Sequence, residues 1–143
     1  MGRILSIDYG KKRTGIAVSD PLKLIANGLT TVMTVELFDF ISQYISKEEV
    51  DCIIVGYPLQ PNGNDSENMK RITPFVNRLR KLYPNITVEY YDERFTSVLA
   101  HRAIIESGVR KKVRRENKGL IDKISATILL EDYMEHQSLV NNK

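Results

Sequence analysis

The order of apolar segments along the chain constrains its fold more than any other feature. Three short strand-like segments come first, at residues 3–8, 14–19 and about 28–33, and a glycine-containing turn at 9–13 joins the first two. This pattern is typical of antiparallel strands joined by hairpins. Helical and strand-like segments then alternate, which predicts an α/β layer whose later strands are connected by crossover helices.

The later segments have readable boundaries. Apolar residues from Leu37 to Ile45 recur at helical spacing, and the continuous apolar run Cys52 to Val55 is typical of a strand covered on both faces. We predict four further elements: a helix from Met69 to Leu82 with a kink at Pro74, a strand from Ile86 to Tyr91, a helix from Thr96 or Ser97 to Gly108, and a final helix from about Gly119 to His136.

The size and the charge distribution narrow the class of protein. A chain of 143 residues suffices for one hydrophobic core, so we expect a single domain over residues 1–136 and a polar tail over 137–143. The net charge of +3 is small, but six of the nine residues from 110 to 118 are basic. Such a concentration of positive charge favours a polyanionic partner.

Cysteine and histidine are too few for several common chemistries. Cys52 is the only cysteine and lies in an apolar run, so an internal disulfide and a thiolate zinc site are excluded and an inert, buried thiol is favoured. His101 and His136 lack the spacing of zinc ligands. We find neither a signal peptide nor an apolar stretch of membrane-spanning length, and expect a soluble, cytoplasmic protein without a membrane partner.

Asp8 is the first candidate for a functional carboxylate. It ends an otherwise apolar strand and would project from the sheet edge into a crevice if that strand is central. The alternative is an aspartate that starts a turn with Tyr9 and Gly10, because Asp often bonds its own backbone two residues further on. Gly10 would leave room beside Asp8 for a phosphate or a metal-bound oxygen.

Asp92 and Glu93 form a second acidic pair at the end of the predicted strand 86–91. Ligands of open α/β sheets bind at the carboxyl ends of strands, so this pair is expected on the same edge as Asp8. The alternative is a helix-entry segment, in which the acids favour the positive end of the helix dipole.

Asp122 is the third candidate, since its carboxylate heads an otherwise apolar helical stripe of Ala126, Leu129 and Tyr133. A buried carboxylate requires a metal or a basic partner. The alternative is an exposed aspartate in the first helical turn. Three carboxylates on two strand ends and one helix could hold one or two Mg²⁺ or Mn²⁺ ions, as in two-metal nucleases.

Four motifs in this order resemble the YqgF family, RuvC-like Holliday junction resolvases also described as pre-16S rRNA nucleases. The motifs are Ile7-Asp8-Tyr-Gly10-Lys-Lys-Arg13-Thr-Gly15-Ile-Ala17-Val-Ser19-Asp20, Val55-Gly56-Tyr-Pro58 with Gly63 and Ser66-Glu67, Asp92-Glu93-Arg94-Phe-Thr96, and Lys118 through Asp122 to Tyr133.

The resemblance implies a ribonuclease H-like fold with a five-stranded mixed sheet. It also implies divalent-metal hydrolysis of phosphodiester bonds, with a role in maturing the 5′ end of small-subunit rRNA or, as an older proposal, in resolving branched DNA. It assigns Asp8, Glu93 and Asp122 as catalytic metal ligands. Unlike RuvC, the strand 52–55 ends without an acid, so the second ligand comes from the next strand out and the choice between Asp92 and Glu93 stays open.

We therefore predict a nuclease, either a monomer or a weak homodimer, that uses Mg²⁺ or Mn²⁺ on structured RNA or branched DNA. The rival hypotheses are a non-catalytic nucleic-acid-binding factor and an actin-like phosphotransferase, which this chain is too short to form. The residues predicted to bind nucleic acid are Lys11, Lys12, Arg13, Arg94, Arg110, Lys111, Lys112, Arg114, Arg115 and Lys118.

Overall fold

A computed structural model of the chain describes residues 2–57, 69–92 and 118–141. Within these ranges the strands are β1 (Arg3–Asp8), β2 (Arg13–Ser19), β3 (Ala26–Met33), β4 (Val50–Tyr57) and β5 (Thr87–Asp92). The helices are α1 (Leu37–Lys47), which follows a 3-10 turn at Thr34–Glu36, α2 (Met69–Leu82) and α3 (Lys118–Asn141).

The strands form one mixed sheet in the order β3-β2-β1-β4-β5. β1 pairs antiparallel with β2, and β2 with β3, whereas β1, β4 and β5 run parallel. This arrangement confirms the predicted ribonuclease H-like fold class and makes β1 the central strand. The carboxyl ends of β1, β4 and β5 meet along one edge, where Asp8 pairs with Gly56 and Tyr57 with Asp92. We call this the carboxyl edge.

Strand alternation divides the core between the two faces of the sheet. Leu5 and Ile7 of β1 pack with α1 and α2, whereas Ile4 packs with α3. Residues two apart share a face, so Ser6 and Asp8 also point towards α3. The Ser6 hydroxyl confirms this orientation, because its Oγ donates a hydrogen bond to a backbone carbonyl of α3 at 3.0 Å.

The Tyr133 hydroxyl links α3 to strands β4 and β5. The Tyr133 hydroxyl donates a hydrogen bond to Glu89 of β5 at 3.1 Å and lies 3.8 Å from the Sγ of Cys52. The Cys52 side chain is partly buried, and desolvation raises the pKa of its thiol. A thiol whose pKa is raised stays protonated at neutral pH, in accord with the inert role expected for Cys52.

The predicted helices have different outcomes. The last helix continues to Asn141, five residues beyond the predicted end at His136, because Gln137 to Asn141 contain neither proline nor glycine. Pro74 does not end α2, which is helical from Met69 to Leu82. The helix predicted over 96–108 lies outside the described residues, and the division of the chain at residue 136 stays a prediction. In the described ranges, no helix combines the length and the apolarity needed to cross a membrane.

Candidate functional site

Helix α3 and strand β2 touch at Gly15, beside Asp8. Asp8 and Gly15 are partners in the β1–β2 register, so they share the face of the sheet that α3 covers. A Cβ built on Gly15 would overlap the carbonyl group of Asp122 and lie 3.0 Å from the backbone nitrogen of Lys123. The absence of a side chain at Gly15 therefore lets the helix backbone rest on the sheet and brings Asp122 to the carboxyl edge next to Asp8.

Asp8 is a buried carboxylate. Its exposed fraction is 8%, and it is the one charged residue in the buried class of the described part of the chain. Burial of an ionised carboxylate is costly unless nearby groups or ions compensate for it. Asp8 therefore stays a candidate site residue.

Asp122 forms an ion pair with Arg13. The Nε of Arg13 lies 3.0 Å from Oδ2 of Asp122, and both side chains are partly exposed. A partly exposed pair of this kind contributes about 1 kcal/mol or less to stability, so its main effect is to fix the direction of the carboxylate. A guanidinium has five N–H donors, and one bond to Asp122 does not exhaust them.

The turn between β1 and β2 is anchored by Thr34. Its backbone nitrogen donates to the Lys12 carbonyl at 2.9 Å, and its hydroxyl donates to the Gly10 carbonyl at 2.7 Å. A Cβ on Gly10 would overlap the carbonyl oxygen of Arg13. The turn's own backbone therefore requires glycine here, which is a different reason from the room for a ligand that the sequence suggested.

Basic side chains surround this turn. Lys11 and Lys12 are exposed on it, directly after Gly10. Burial raises the pKa of the Tyr9 hydroxyl, although the positive charge of Arg71 in α2 acts in the opposite direction.

Part of the predicted site lies outside the described residues. Asp92 ends β5, two strands from β1, and Lys118 begins α3, but the side chains of both are not described. In the described ranges Asp8 and Asp122 supply two carboxylates at the edge, and no group of three or more His, Cys, Asp or Glu residues that could hold a metal occurs there. The predicted residues outside these ranges are Glu93, Arg94, Arg110, Lys111, Lys112, Arg114 and Arg115.

Comparison with known proteins identifies the family. A family model described as "RuvX: Holliday junction resolvase" matches residues 2–136. Three relatives, each named "Putative pre-16S rRNA nuclease", are similar over nearly their whole length. The protein of Bacteroides thetaiotaomicron is 62% identical over 135 residues, covering 94% of this chain and 97% of its own. That of Phocaeicola vulgatus is 60% identical over 140 residues, covering 98% and 100%. That of Flavobacterium johnsoniae is 52% identical over 134 residues, covering 94% and 96%.

These matches confirm the resemblance noted from the four sequence motifs, and they favour a nuclease over the two rival classes. The chain belongs to the RuvX family of Holliday junction resolvase-like nucleases, which are hydrolases acting on ester bonds.

Proposed function

We propose that this nuclease cleaves a phosphodiester bond in the precursor of small-subunit rRNA, with Asp8, Glu93 and Asp122 as metal-binding carboxylates. The single observation that carries the proposal is the contact of the Asp122 backbone with Gly15, the register partner of buried Asp8. Two carboxylates from distant parts of the chain are thereby brought to one edge of the sheet. The names of the relatives supply the rRNA substrate.

The third carboxylate is argued from the alternation of β5. Glu89 bonds to the Tyr133 hydroxyl of α3, and the Tyr91 ring packs edge-on against the Tyr133 ring at 5.5 Å. Odd-numbered residues of β5 therefore point towards α3. Residues two apart share a face of a strand, so we favour Glu93 over Asp92 as the ligand on the proposal that the chain stays extended for one residue past the end of β5.

The intervening strand supports a shared site. Gly56 of β4 pairs with Asp8 on one side and with Tyr91 on the other. Since glycine has no side chain, β4 contributes no bulk between the carboxylate of β1 and the end of β5. A divalent ion can therefore be reached from both strands without a side chain of β4 in between.

The donor set suits a hard divalent cation. Carboxylate oxygens are the preferred protein ligands of Mg²⁺ and Mn²⁺, and the buried charge of Asp8 is the kind that a bound cation compensates. When bound, such an ion activates the attacking water and stabilises the leaving oxygen. The chain's own contribution is to orient Asp122 through Arg13 and to attract phosphates through Lys11 and Lys12.

Of the two predicted substrates, structured RNA and branched DNA, we propose structured RNA, and we propose that the protein acts as a monomer or weak homodimer. A four-way DNA junction requires two symmetric cuts and therefore two active sites in a stable dimer. A 5′-end cut in rRNA needs one site. An rRNA substrate also implies that the enzyme acts in the cytoplasm.

The test is a direct comparison of substrates. We expect the purified protein to cut an end-labelled precursor rRNA fragment spanning the 5′ end of the mature small-subunit RNA, and to cut a four-way DNA junction more slowly. EDTA should abolish cleavage, and Mg²⁺ or Mn²⁺ should restore it. Preferential cutting of the junction would assign the chain to DNA resolution, and cleavage that persists in EDTA would overturn the metal-carboxylate mechanism.

Replacement of Arg13 by glutamine should reduce cleavage by about 10–100-fold at a fixed, subsaturating metal concentration, because residues that orient a metal ligand commonly have effects of this size. The free energy of unfolding should change by less than about 1 kcal/mol, since the pair with Asp122 is partly exposed. The measurement is cleavage rate as a function of metal concentration, with urea denaturation alongside.

Lys12→Gln is the matched control for Arg13→Gln. It removes a positive charge from the neighbouring position, where the side chain is exposed, without touching Asp122. We expect it to raise KM for RNA and weaken the salt dependence of binding while the metal requirement stays the same. If Arg13→Gln behaved in the same way, Arg13 would act on phosphates rather than on Asp122.

A further inference from the structure

The loop that joins β2 to β3 exposes apolar side chains to solvent. Leu22, Leu24 and Ile25 are 62%, 72% and 61% exposed. A single exposed leucine is ordinary, but contiguous apolar surface of this kind on a soluble domain commonly marks an interaction site. We call residues 20–25 the presenting loop.

The presenting loop is held in one conformation. The Asp20 carboxylate accepts hydrogen bonds from the backbone nitrogens of Leu22, Leu24 and Ile25 at 3.2, 2.7 and 2.8 Å. The Ile25 N–H, together with the other donors, holds the pKa of Asp20 below its usual value. Lys23 adopts a left-handed backbone with φ of 59°, and its Nζ lies 2.8 Å from Asp51. These hydrogen bonds hold the loop backbone in a conformation that points the three apolar side chains towards solvent.

A groove runs between the presenting loop and α3. It has a volume of about 330 Å³. Leu24, Ala26 and Met134 give it an apolar lining, and Glu131 and Glu135 add two exposed carboxylates one helical turn apart. Lys23 also borders the groove, but its ammonium is already bound to Asp51.

The groove lies far from the carboxyl edge. Asp122 and Glu135 belong to the same helix, and 13 residues of α-helix span about 20 Å. The groove also carries two exposed glutamates, whereas Lys11, Lys12 and Arg13 lie by the carboxyl edge. A phosphate backbone would be repelled there, so nucleic acid is not the occupant that this surface favours.

We propose that this groove docks a short basic segment of a partner protein. One apolar side chain of the partner packs between Leu24 and Met134, and flanking Lys or Arg side chains pair with Glu131 and Glu135. The argument for this occupant is the complementarity of charge around an apolar centre, the usual composition of a small recognition surface. The proposal does not depend on the cleavage reaction, and it leaves the carboxyl edge open while the partner is bound.

The test uses the full chain labelled with ¹⁵N and three synthetic peptides. The probe has the sequence Lys-Lys-Leu-Lys-Lys. One control replaces its leucine by serine, and the other replaces its lysines by glutamates. We expect saturable shifts of the amide signals of Leu24, Ala26 and Met134 with the probe alone. The proposal is overturned if no peptide shifts these signals, or if either control binds as well as the probe.

Two variants and a control locate the contact. We expect Leu24→Ser, and separately the double variant Glu131→Gln with Glu135→Gln, to weaken probe binding by roughly tenfold or more. Asp39→Asn removes a carboxylate from α1 on the other face of the sheet and should not alter binding. All of these proteins should cleave RNA at the wild-type rate. Unchanged affinity of the groove variants would refute the proposal. A dimer in sedimentation that Leu24→Ser dissociates would also refute it, because a second copy of the chain would then be the occupant of the groove.

Discussion

Gly15→Ala is expected to abolish cleavage and to lower the free energy of unfolding by about 3 kcal/mol, which corresponds to a drop in Tm of roughly 6–12 °C for a domain of this size. The new methyl group would occupy the position of the Asp122 carbonyl, and backbone cannot rotate away as a side chain can. The helix must therefore move, and Asp122 moves with it. Urea denaturation and a cleavage assay on the same preparation measure both effects.

Gly28→Ala is the matched control, because it places the same methyl group under the same helix. At this position the methyl meets side chains, Cγ of Lys123 at 2.8 Å and Oγ1 of Thr127 at 2.9 Å. These groups can shift without displacing the α3 backbone, so the loss of stability should be less than half of that at Gly15 and cleavage should persist. Equal effects of the two substitutions would show that α3 is not positioned by its contact with Gly15.

Asp8→Asn is expected to reduce cleavage by roughly 10³-fold or more, because metal-ion stabilisation of a phosphoryl transition state is worth several kcal/mol and each 1.36 kcal/mol is tenfold in rate. The fold should survive. Asparagine has nearly the shape of aspartate and can occupy the same buried position, so we expect Tm to change little. Cleavage of precursor rRNA, circular dichroism and thermal unfolding together test the prediction.

Asp39→Asn is the control for Asp8→Asn, since it removes one carboxylate from an exposed position on α1. It should leave cleavage unaltered. Cleavage that survives in Asp8→Asn would show that Asp8 is not a metal ligand. If neither wild type nor variant cut RNA at any metal concentration while both bound it, the non-catalytic binding factor would become the better hypothesis for this chain.

Much of the fold could be predicted because it depends on local periodicity. The alternation along β1 and β2 and the helical stripe of α1 are properties of consecutive residues, and the sheet order follows from short connections and crossover helices. The stripe headed by Asp122 was also readable, and Ala126, Leu129 and Tyr133 are buried as it predicted.

The fine structure of the site depends on contacts that have no local signature. The bond between Arg13 and Asp122 joins residues 109 positions apart, and nothing in the basic turn distinguishes Arg13 from Lys11 or Lys12 as the partner. In the sequence Gly15 is an ordinary strand glycine, and only the structure shows that the backbone of α3 packs on it. Sequence reasoning did not single out Thr34, the anchor of the turn, because its three bonds are made to another loop and to β2.

The seating of α3 on Gly15 has a consequence for the synthesis of the protein. Asp8 belongs to the first strand that leaves the ribosome and Asp122 to the last described helix, so a partly translated chain carries one carboxylate of the proposed site without the other. In the proposed function, a chain in which α3 has not yet docked on the strand surface at Gly15 has no assembled cutting site. Docking of α3 is then the folding step that gives the proposed enzyme its activity.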